Sequence, residues 1–108
     1  MITLKKQTNE NGSYLIEIKF KDENNKWKIP YNLTWTLTDL QGNIINNCEN
    51  VEISNPDNTI YISLNGDDLT PGWKIVTLKG KYDSTNAPQL NIRETFRFYV
   101  TDLIEEDL

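Results

Sequence analysis

The sequence contains no histidine among its 108 residues, and Cys48 is its only cysteine. Without histidine, Ser-His and Cys-His nucleophile pairs are excluded, together with the usual general base near neutral pH and most zinc sites. A single cysteine forms neither an internal disulfide nor a thiolate metal cluster. We therefore predict a protein that is not an enzyme and holds no cofactor or metal. We expect Cys48 to be a small, half-buried residue beside a turn.

Alanine and long apolar runs are also scarce. Alanine occurs once, at Ala87, whereas Ile, Leu, Val and aromatic residues supply the apolar content, and this balance favours strands over helices. No window approaches the 18 apolar residues of a membrane-spanning helix, so we predict no membrane partner. Residues 1–6 lack the apolar stretch of a secretory signal. This predicts a protein that stays in the cytoplasm or leaves it by assembly into something larger, and a mature fragment of a longer secreted protein is the remaining alternative.

The negative charge of the sequence is concentrated near residue 108. The formal net charge is −5, but residues 102–108 contain four acids and no base, so residues 1–101 carry a net charge of −1. The eleven Lys and Arg residues are spread along the sequence without a cluster. A nucleic-acid-binding surface needs concentrated positive charge. We therefore predict no nucleic-acid partner.

Polar and apolar residues alternate in several short stretches separated by turn sequences such as Asn11-Gly12 and Pro71-Gly72. This period of two is typical of strands with one buried face, and no long segment has a helical pattern. A short return strand is also predicted at Ile44 and Ile45. The predicted strands lie at 2–6, 13–21, 33–38, 51–54, 59–65, 73–82 and 90–100.

Two of these strands leave a choice of buried face. In residues 73–82, we expect Val76, Leu78, Gly80 and Tyr82 to face the core, because Lys79 and Lys81 then face water. In residues 90–100, Ile92, Phe96, Phe98 and Val100 share the apolar face. Glu94 falls on that same face, so either the core begins after it or a bulge shifts the alternation.

The number and spacing of the strands predict an immunoglobulin- or fibronectin-III-like β-sandwich of about seven antiparallel strands. We assign residues 1–101 to this domain, with Trp35 between the two sheets. Residues 102–108 are predicted to form an acidic C-terminal tail. It is either a frayed, solvated terminus or a segment that docks on a neighbouring subunit.

Outward-facing aromatic side chains are the main candidates for a functional surface. Three interpretations are open: the rings cap the ends of the sandwich, anchor a protein interface, or form stacking platforms for sugars. The strand pattern places five aromatic residues outward or in loops: Trp27, Tyr31, Tyr61, Trp73 and Tyr99. The predicted interface residues are Trp27, Tyr61, Trp73, Tyr99, Leu103 and Ile104.

Asp67 and Asp68 are the most suggestive pair of carboxylates. They belong either to a solvated turn or, with Asn65 and Asp57, to a calcium site, because hard cations bind several oxygen ligands. A carboxylate pair could also support acid–base catalysis of the glycosidase type. The spacing matches no calcium-loop pattern, and we favour the solvated turn.

Three stretches of the sequence resemble a known group of proteins. The residues are LTWTLTDLQGNIIN (33–46), LNGDDL (64–69) and LKGKYDS (78–84). Together they resemble small immunoglobulin-like proteins encoded among the structural genes of tailed bacteriophages and prophages, over most of residues 33–100. The resemblance implies a virion protein of the tail, neck or baseplate, assembled in the bacterial host cytoplasm. Its partners would be other virion proteins or further copies of itself, as a homo-oligomer.

A second hypothesis is a bacterial carbohydrate- or protein-binding module of immunoglobulin type at the cell surface. The two hypotheses differ in the behaviour of the purified protein. A virion component is expected to assemble or to adhere to a larger particle. A binding module is expected to remain monomeric, with tryptophan fluorescence that responds to a glycan or to calcium.

Overall fold

The computed structural model describes residues 1–5, 8–54 and 56–101. Over these ranges the regular structure consists of strands and one 3₁₀ turn, Gly66–Asp68. The all-β class predicted from the alternation is confirmed. The strands are β1 (Ile2–Thr3), β2 (Thr8–Asn9), β3 (Ser13–Lys19), β4 (Tyr31–Thr38), β5 (Val51–Glu52), β6 (Thr59–Asn65), β7 (Gly72–Tyr82) and β8 (Leu90–Thr101).

The strands form two sheets. The larger sheet has the order β1-β8-β7-β4-β5, with β2 also paired to β8, and the smaller sheet consists of β3 and β6. The prediction that all strands are antiparallel was wrong, because β1 and β2 both run parallel to β8. The remaining pairs are antiparallel.

The core lies between the two sheets. The smaller sheet contributes Tyr14, Ile16, Ile60, Ile62 and Leu64, and the ring of Tyr14 stacks on that of Phe98 with centroids 4.3 Å apart. Trp35 is half-buried and packs against this core. The larger sheet contributes Leu33, Leu37, Val76, Leu78, Phe96, Phe98 and Val100.

The burial of alternate residues shows which faces of β7 and β8 point to the core. Val76 and Leu78 are fully buried, and Gly80 and Tyr82 are partly buried, as predicted for β7. The pairing of β7 with β8 runs without a register shift, so no bulge lies near Glu94. Glu94 points to the core face but is exposed, because the core under β8 begins after it.

Several predicted boundaries were wrong. The predicted strand 2–6 is reduced to Ile2–Thr3, and residue 6 lies outside the described residues. Ile44 makes only an isolated bridge to Thr38 rather than a return strand. Val51–Glu52 is shorter than predicted, although Ile53 N still donates to Leu33 O at 3.0 Å. These segments are too short for alternation to define their ends.

A bulge interrupts β4 between Tyr31 and Thr34, where its register with β7 shifts. Asn32 within the bulge adopts a left-handed φ of 54°. Among the residues that the structure describes, six of the seven non-glycine residues with positive φ are asparagines. Asn tolerates this region better than most residues because its side chain bonds to the local backbone.

Candidate functional site

The outward side of the larger sheet combines aromatic, basic and threonine side chains. We call it the outer face and define it by the outward-pointing residues of β4, β7 and β8. Cross-strand pairing aligns them in rows, such as Thr36 with Thr77 and Thr77 with Thr95. The outer face consists of Thr34, Thr36, Thr38, Trp73, Ile75, Thr77, Lys79, Lys81, Asn91, Arg93, Thr95, Arg97 and Tyr99.

Trp73 and Tyr99 form an aromatic cluster at one end of the outer face. They are cross-strand partners, with ring centroids 5.3 Å apart and ring planes at 68°. The guanidinium carbon of Arg97 lies 5.1 Å from the Trp73 ring centroid. Arg97 Nε also donates to Thr3 Oγ1 at 2.8 Å. Each ring is 37% exposed, so the cluster presents a fixed aromatic surface to solvent.

Four basic side chains lie on the outer face: Lys79, Lys81, Arg93 and Arg97. The outward positions of β4, β7 and β8 contain no acid. Lys79 and Arg93 stand directly opposite each other. Within the described ranges, neither of these two has an ion pair within 4.0 Å. These residues are spread along the sequence, and strand register brings them to one face of the sheet.

A shallow cavity of about 210 Å³ adjoins the Lys79–Arg93 pair. Thr36, Thr77, Glu49 and Asn50 complete its walls. Asn50 N donates to Thr36 Oγ1 at 3.0 Å, which fixes the loop that borders the sheet. Like charges placed directly opposite on a sheet are destabilising. The pair therefore offers an anionic partner two cationic groups that are not already neutralised.

The structure does not bring the other predicted interface aromatics to this surface. Tyr61 is exposed on the outward side of the smaller sheet, and Trp27 is exposed in a hairpin, with Lys21 Nζ 4.4 Å from its ring centroid. Tyr31, predicted outward or in a loop, is half-buried, and its hydroxyl donates to Asp83 Oδ1 at 2.9 Å. Leu103 and Ile104 lie outside the described residues.

Asp22 is a polar centre that the sequence reasoning missed. Its Oδ1 accepts from the backbone N–H groups of Asn24 and Lys26, at 2.9 and 3.0 Å. Its Oδ2 accepts from Thr85 Oγ1 at 3.3 Å and lies 3.8 Å from Lys28 Nζ. Burial raises the pKa of Asp22, but these hydrogen bonds and the Lys28 charge together lower it below its ordinary value. The carboxylate joins two loops distant in sequence.

Lys74 is also unexpected, because it lies on the core face of β7 and is only 3% exposed. Its ammonium donates to Pro71 O at 3.2 Å. Burial lowers the pKa of Lys74, and the nearby charge of Asp39 offsets part of this effect. The alternation of β7 placed residue 74 on the same face as Val76, so this burial was readable from the sequence.

The Asp67 and Asp68 pair belongs to the 3₁₀ turn. Asp68 Oδ1 accepts from Asn46 Nδ2 at 2.7 Å, and Asp68 Oδ2 accepts from Asn65 N at 3.2 Å. Cys48 is half-buried, as expected, with its Sγ 3.5 Å from Asp68 Oδ1. Burial and the Asp68 carboxylate raise the pKa of the Cys48 thiol to about 11. Asp68 therefore ties the turn to the loop that carries Asn46 and Cys48.

Neither a metal-binding group nor a membrane span is apparent in the part of the chain that the structure describes. Its His, Cys, Asp and Glu residues do not gather in any group of three or more that could hold a metal ion. Among the same residues, no helix is long and apolar enough to cross a membrane.

Three comparisons with known proteins found no match. The chain matches no protein-family model, no curated protein and no solved structure.

Proposed function

We propose that the protein is a non-catalytic structural or accessory component of a tailed phage or prophage particle, and that the outer face is its contact surface. The observation that carries the proposal is the Trp73–Tyr99–Arg97 cluster on the same sheet face as Lys79 and Arg93, which make no ion pair within 4.0 Å in the described ranges. Aromatic residues and arginine are enriched at protein interfaces and supply most of their hot spots.

The geometry of the cluster favours a protein partner over a sugar. A sugar-stacking platform needs an open, flat ring face. Trp73 is instead packed at 68° to Tyr99, and Arg97 lies over its ring. The surrounding threonines and basic side chains suit a partner surface that offers carboxylates and backbone carbonyl groups.

The strand order supports an immunoglobulin-type sandwich as the finer description of the fold. In that fold, strands B and E lie in one sheet, and strands C, F and G lie in the other, with C′ beside C in the variable type. Here β3 and β6 take the B and E positions. The order β5-β4-β7-β8 then corresponds to C′-C-F-G.

The assignment to a phage particle rests on the resemblance of residues 33–46, 64–69 and 78–84 to phage immunoglobulin-like proteins. It is tested by inducing particles from a lysogen that encodes the chain and purifying them on a density gradient. We expect the chain to sediment with the particles. The double variant Trp73→Ala with Arg97→Glu is expected to be absent from the purified particles.

The matched control is Tyr61→Ala, at an exposed aromatic residue on the outward side of the smaller sheet. This variant is expected to stay with the particles. Thermal unfolding of both variants establishes that each is folded before sedimentation. Absence of the unaltered chain from purified particles would contradict the phage assignment. Retention of the folded Trp73 and Arg97 double variant would contradict the role of the outer face.

A further inference from the structure

A groove on the opposite side of β8 from the outer face has an apolar floor. Its volume is about 330 Å³, and it lies between the side of β3 at residues 18–21 and the side of β8 at residues 91–94. Its apolar lining includes Ile18, Phe20, Leu78 and Ile92. Ile92 is half-buried and Glu94 is exposed, although both point to the core side of β8. The smaller sheet therefore lacks a strand over this part of the larger sheet.

The β3 edge beside the groove has backbone groups free to pair. Phe20 N donates to Asn58 O and Gly66 N donates to Gly12 O, at 2.8 and 3.0 Å, so the even-numbered residues of β3 bond towards β6. In an antiparallel ladder the alternate residues point the other way. The N–H and C=O groups of Leu15, Glu17 and Lys19 thus face a side where no strand of the described ranges is paired.

The edge of β8 that faces away from β7 is also without a strand partner over the first half of β8, in the described part of the chain. β1 pairs with β8 at Phe96 and Arg97, and β2 pairs with it at Val100 and Thr101. Over residues 90–94, β8 pairs only with β7 among the strands that the structure describes. The groove is therefore a strand-sized gap bounded by two strand edges. Such edges are the template for β-strand addition.

The charge around the groove selects the chemistry of the strand that enters it. Lys19, Lys21, Lys28 and Arg93 line the groove together with one acid, Glu94. Lys19 is ion-paired with Glu17 and Lys28 with Asp22, at 3.5 and 3.8 Å, so Lys21 and Arg93 are the groove cations without an ion pair in the described part of the chain. A complementary strand carries acidic side chains beside apolar ones. Residues 102–108 have this composition, with four acids and three apolar residues in seven positions.

We propose that the groove accepts residues 102–108 of a second copy of this chain as an added strand beside β3. The same copy cannot supply the strand, because Glu94 precedes Thr101 by seven residues of extended chain, about 23 Å at about 3.3 Å per residue. Seven residues span at most about 25 Å and would first have to reverse direction. Each copy thus gives a strand and receives one, either by reciprocal exchange in a closed dimer or from neighbour to neighbour around a ring or along a filament.

The first test compares the full chain with a chain ending at Thr101, by light scattering after size exclusion and by amide hydrogen exchange. We expect an oligomer from the full chain and a monomer from the shortened one. In the oligomer, the Leu15, Glu17 and Lys19 amides are expected to exchange at least about tenfold more slowly. The Tyr61 and Ser63 amides, on the free edge of β6, serve as the internal control and are expected to be unchanged.

The second test uses groove variants of the full chain. Ile92→Glu places an acid on the groove floor, and Lys19→Glu combined with Lys21→Glu reverses the charge at its rim without altering the core. Each is expected to weaken association at least about tenfold, because like charges are brought together. Leu40→Glu, at an exposed residue outside the groove, is the matched control and is expected to assemble normally.

The proposal would be overturned by a monomeric full chain, by an oligomer unaffected by the folded lysine variant, or by an oligomer in which the β3 amides remain unprotected. Loss of assembly in Trp73→Ala alone, with the groove variants unaffected, would also overturn it and would place self-association on the outer face. Apart from Asn91 and Arg93, which border both, the groove and the outer face have no residue in common, and the variants Ile92→Glu and Lys19→Glu with Lys21→Glu leave the outer face unaltered, so the two proposals can fail separately.

Discussion

At the scale of single residues, Lys74 shows how burial and charge oppose each other in this core. Its aliphatic stem continues the apolar face of β7, while its ammonium is held by Pro71 O and attracted by Asp39. The Asp39 carboxylate is itself stabilised by hydrogen bonds from Asn43 and Gln41, which lower its pKa. Burying a charged group removes it from water, which costs free energy. One hydrogen bond to a neutral carbonyl group compensates only part of that cost.

We predict that Lys74→Met stabilises the fold by about 1 kcal/mol at pH 7, because Met keeps the stem and removes the desolvated charge. The pKa of Lys74 is lower in the folded state than in the unfolded state. The unfolded state therefore binds more protons between these two values, and the stability of the unaltered protein rises with pH there. The advantage of the variant should shrink towards pH 10. Urea denaturation at pH 7 and pH 10 measures both effects.

Lys79→Met, at an exposed position of the same strand, is the control for a change of Lys to Met in β7. It should change the free energy of unfolding by less than about 0.5 kcal/mol. If Lys74→Met proves destabilising by 1 kcal/mol or more, the bond to Pro71 and the attraction of Asp39 outweigh desolvation. The physical account given for Lys74 would then be wrong.

At the scale of elements, the bulge in β4 and the glycine in β7 depend on each other. A side chain at Gly80 would place its Cβ 2.5 Å from Leu33 Cδ2 and 3.2 Å from Tyr31 O. Leu33 is only 2% exposed, so its side chain could avoid an added Cβ only by leaving the core and becoming exposed to water. The bulge at Asn32 thus turns Leu33 over β7 at a point where only glycine leaves room for it.

Gly80→Ala is expected to lower the free energy of unfolding by about 1–3 kcal/mol, because the added methyl overpacks a close contact with Leu33. Urea denaturation measures the loss. Lys79→Ala, on the exposed face beside it, controls for a new alanine in β7. The double variant Gly80→Ala with Leu33→Ala should show a favourable coupling between the two changes. Stability of Gly80→Ala within 0.5 kcal/mol of the unaltered chain would contradict the predicted clash.

The long strands could be predicted from the sequence, whereas their partners could not. Residues 59–65 alternate so regularly that both bounds of β6 were correct. β1 and β2 have two residues each, too few for a pattern, and their parallel pairing depends on where β8 lies. The row that joins Lys79 to Arg93 requires the register of β7 with β8. Local alternation does not encode that register, so the basic part of the outer face was missed.

At the scale of the whole molecule, stability in acid depends on carboxylates that hold loops together. Hydrogen bonds from Gln89 and Tyr31 lower the pKa of Asp83, and those received by Asp22 and Asp39 act in the same direction. A carboxyl group with a lowered folded-state pKa contributes stability that is present above its unfolded pKa. That stability is lost as the pH falls through the lowered folded value, so we expect it to be present near neutral pH and to decrease as the protein is acidified below the unfolded value.

Asp22→Asn tests this contribution at the junction of two loops. We predict a lower midpoint of thermal unfolding than in the unaltered protein at pH 6. The difference should diminish as the pH falls below 4, because the Asp22 carboxylate is then progressively protonated in both states. Asp67→Asn, at an exposed carboxylate, is the control and should leave the midpoint unchanged at both pH values. A difference that stays constant between pH 6 and pH 3 would show that charge is not the cause.

The parallel pairing of β1 and β2 with β8 also determines how the domain responds to mechanical force. Leu4 N bonds to Arg97 O and Glu10 N to Thr101 O, at 2.8 and 2.9 Å, so both ends of the domain are attached to one pair of neighbouring strands. Tension applied to the chain before β1 and after β8 pulls these parallel strands along their length in opposite directions. The hydrogen bonds are then loaded in shear and must break together, whereas an antiparallel hairpin pulled from its open end breaks them one at a time. We therefore expect the domain to resist tension applied between these two ends more strongly than a domain whose terminal strands form an antiparallel hairpin.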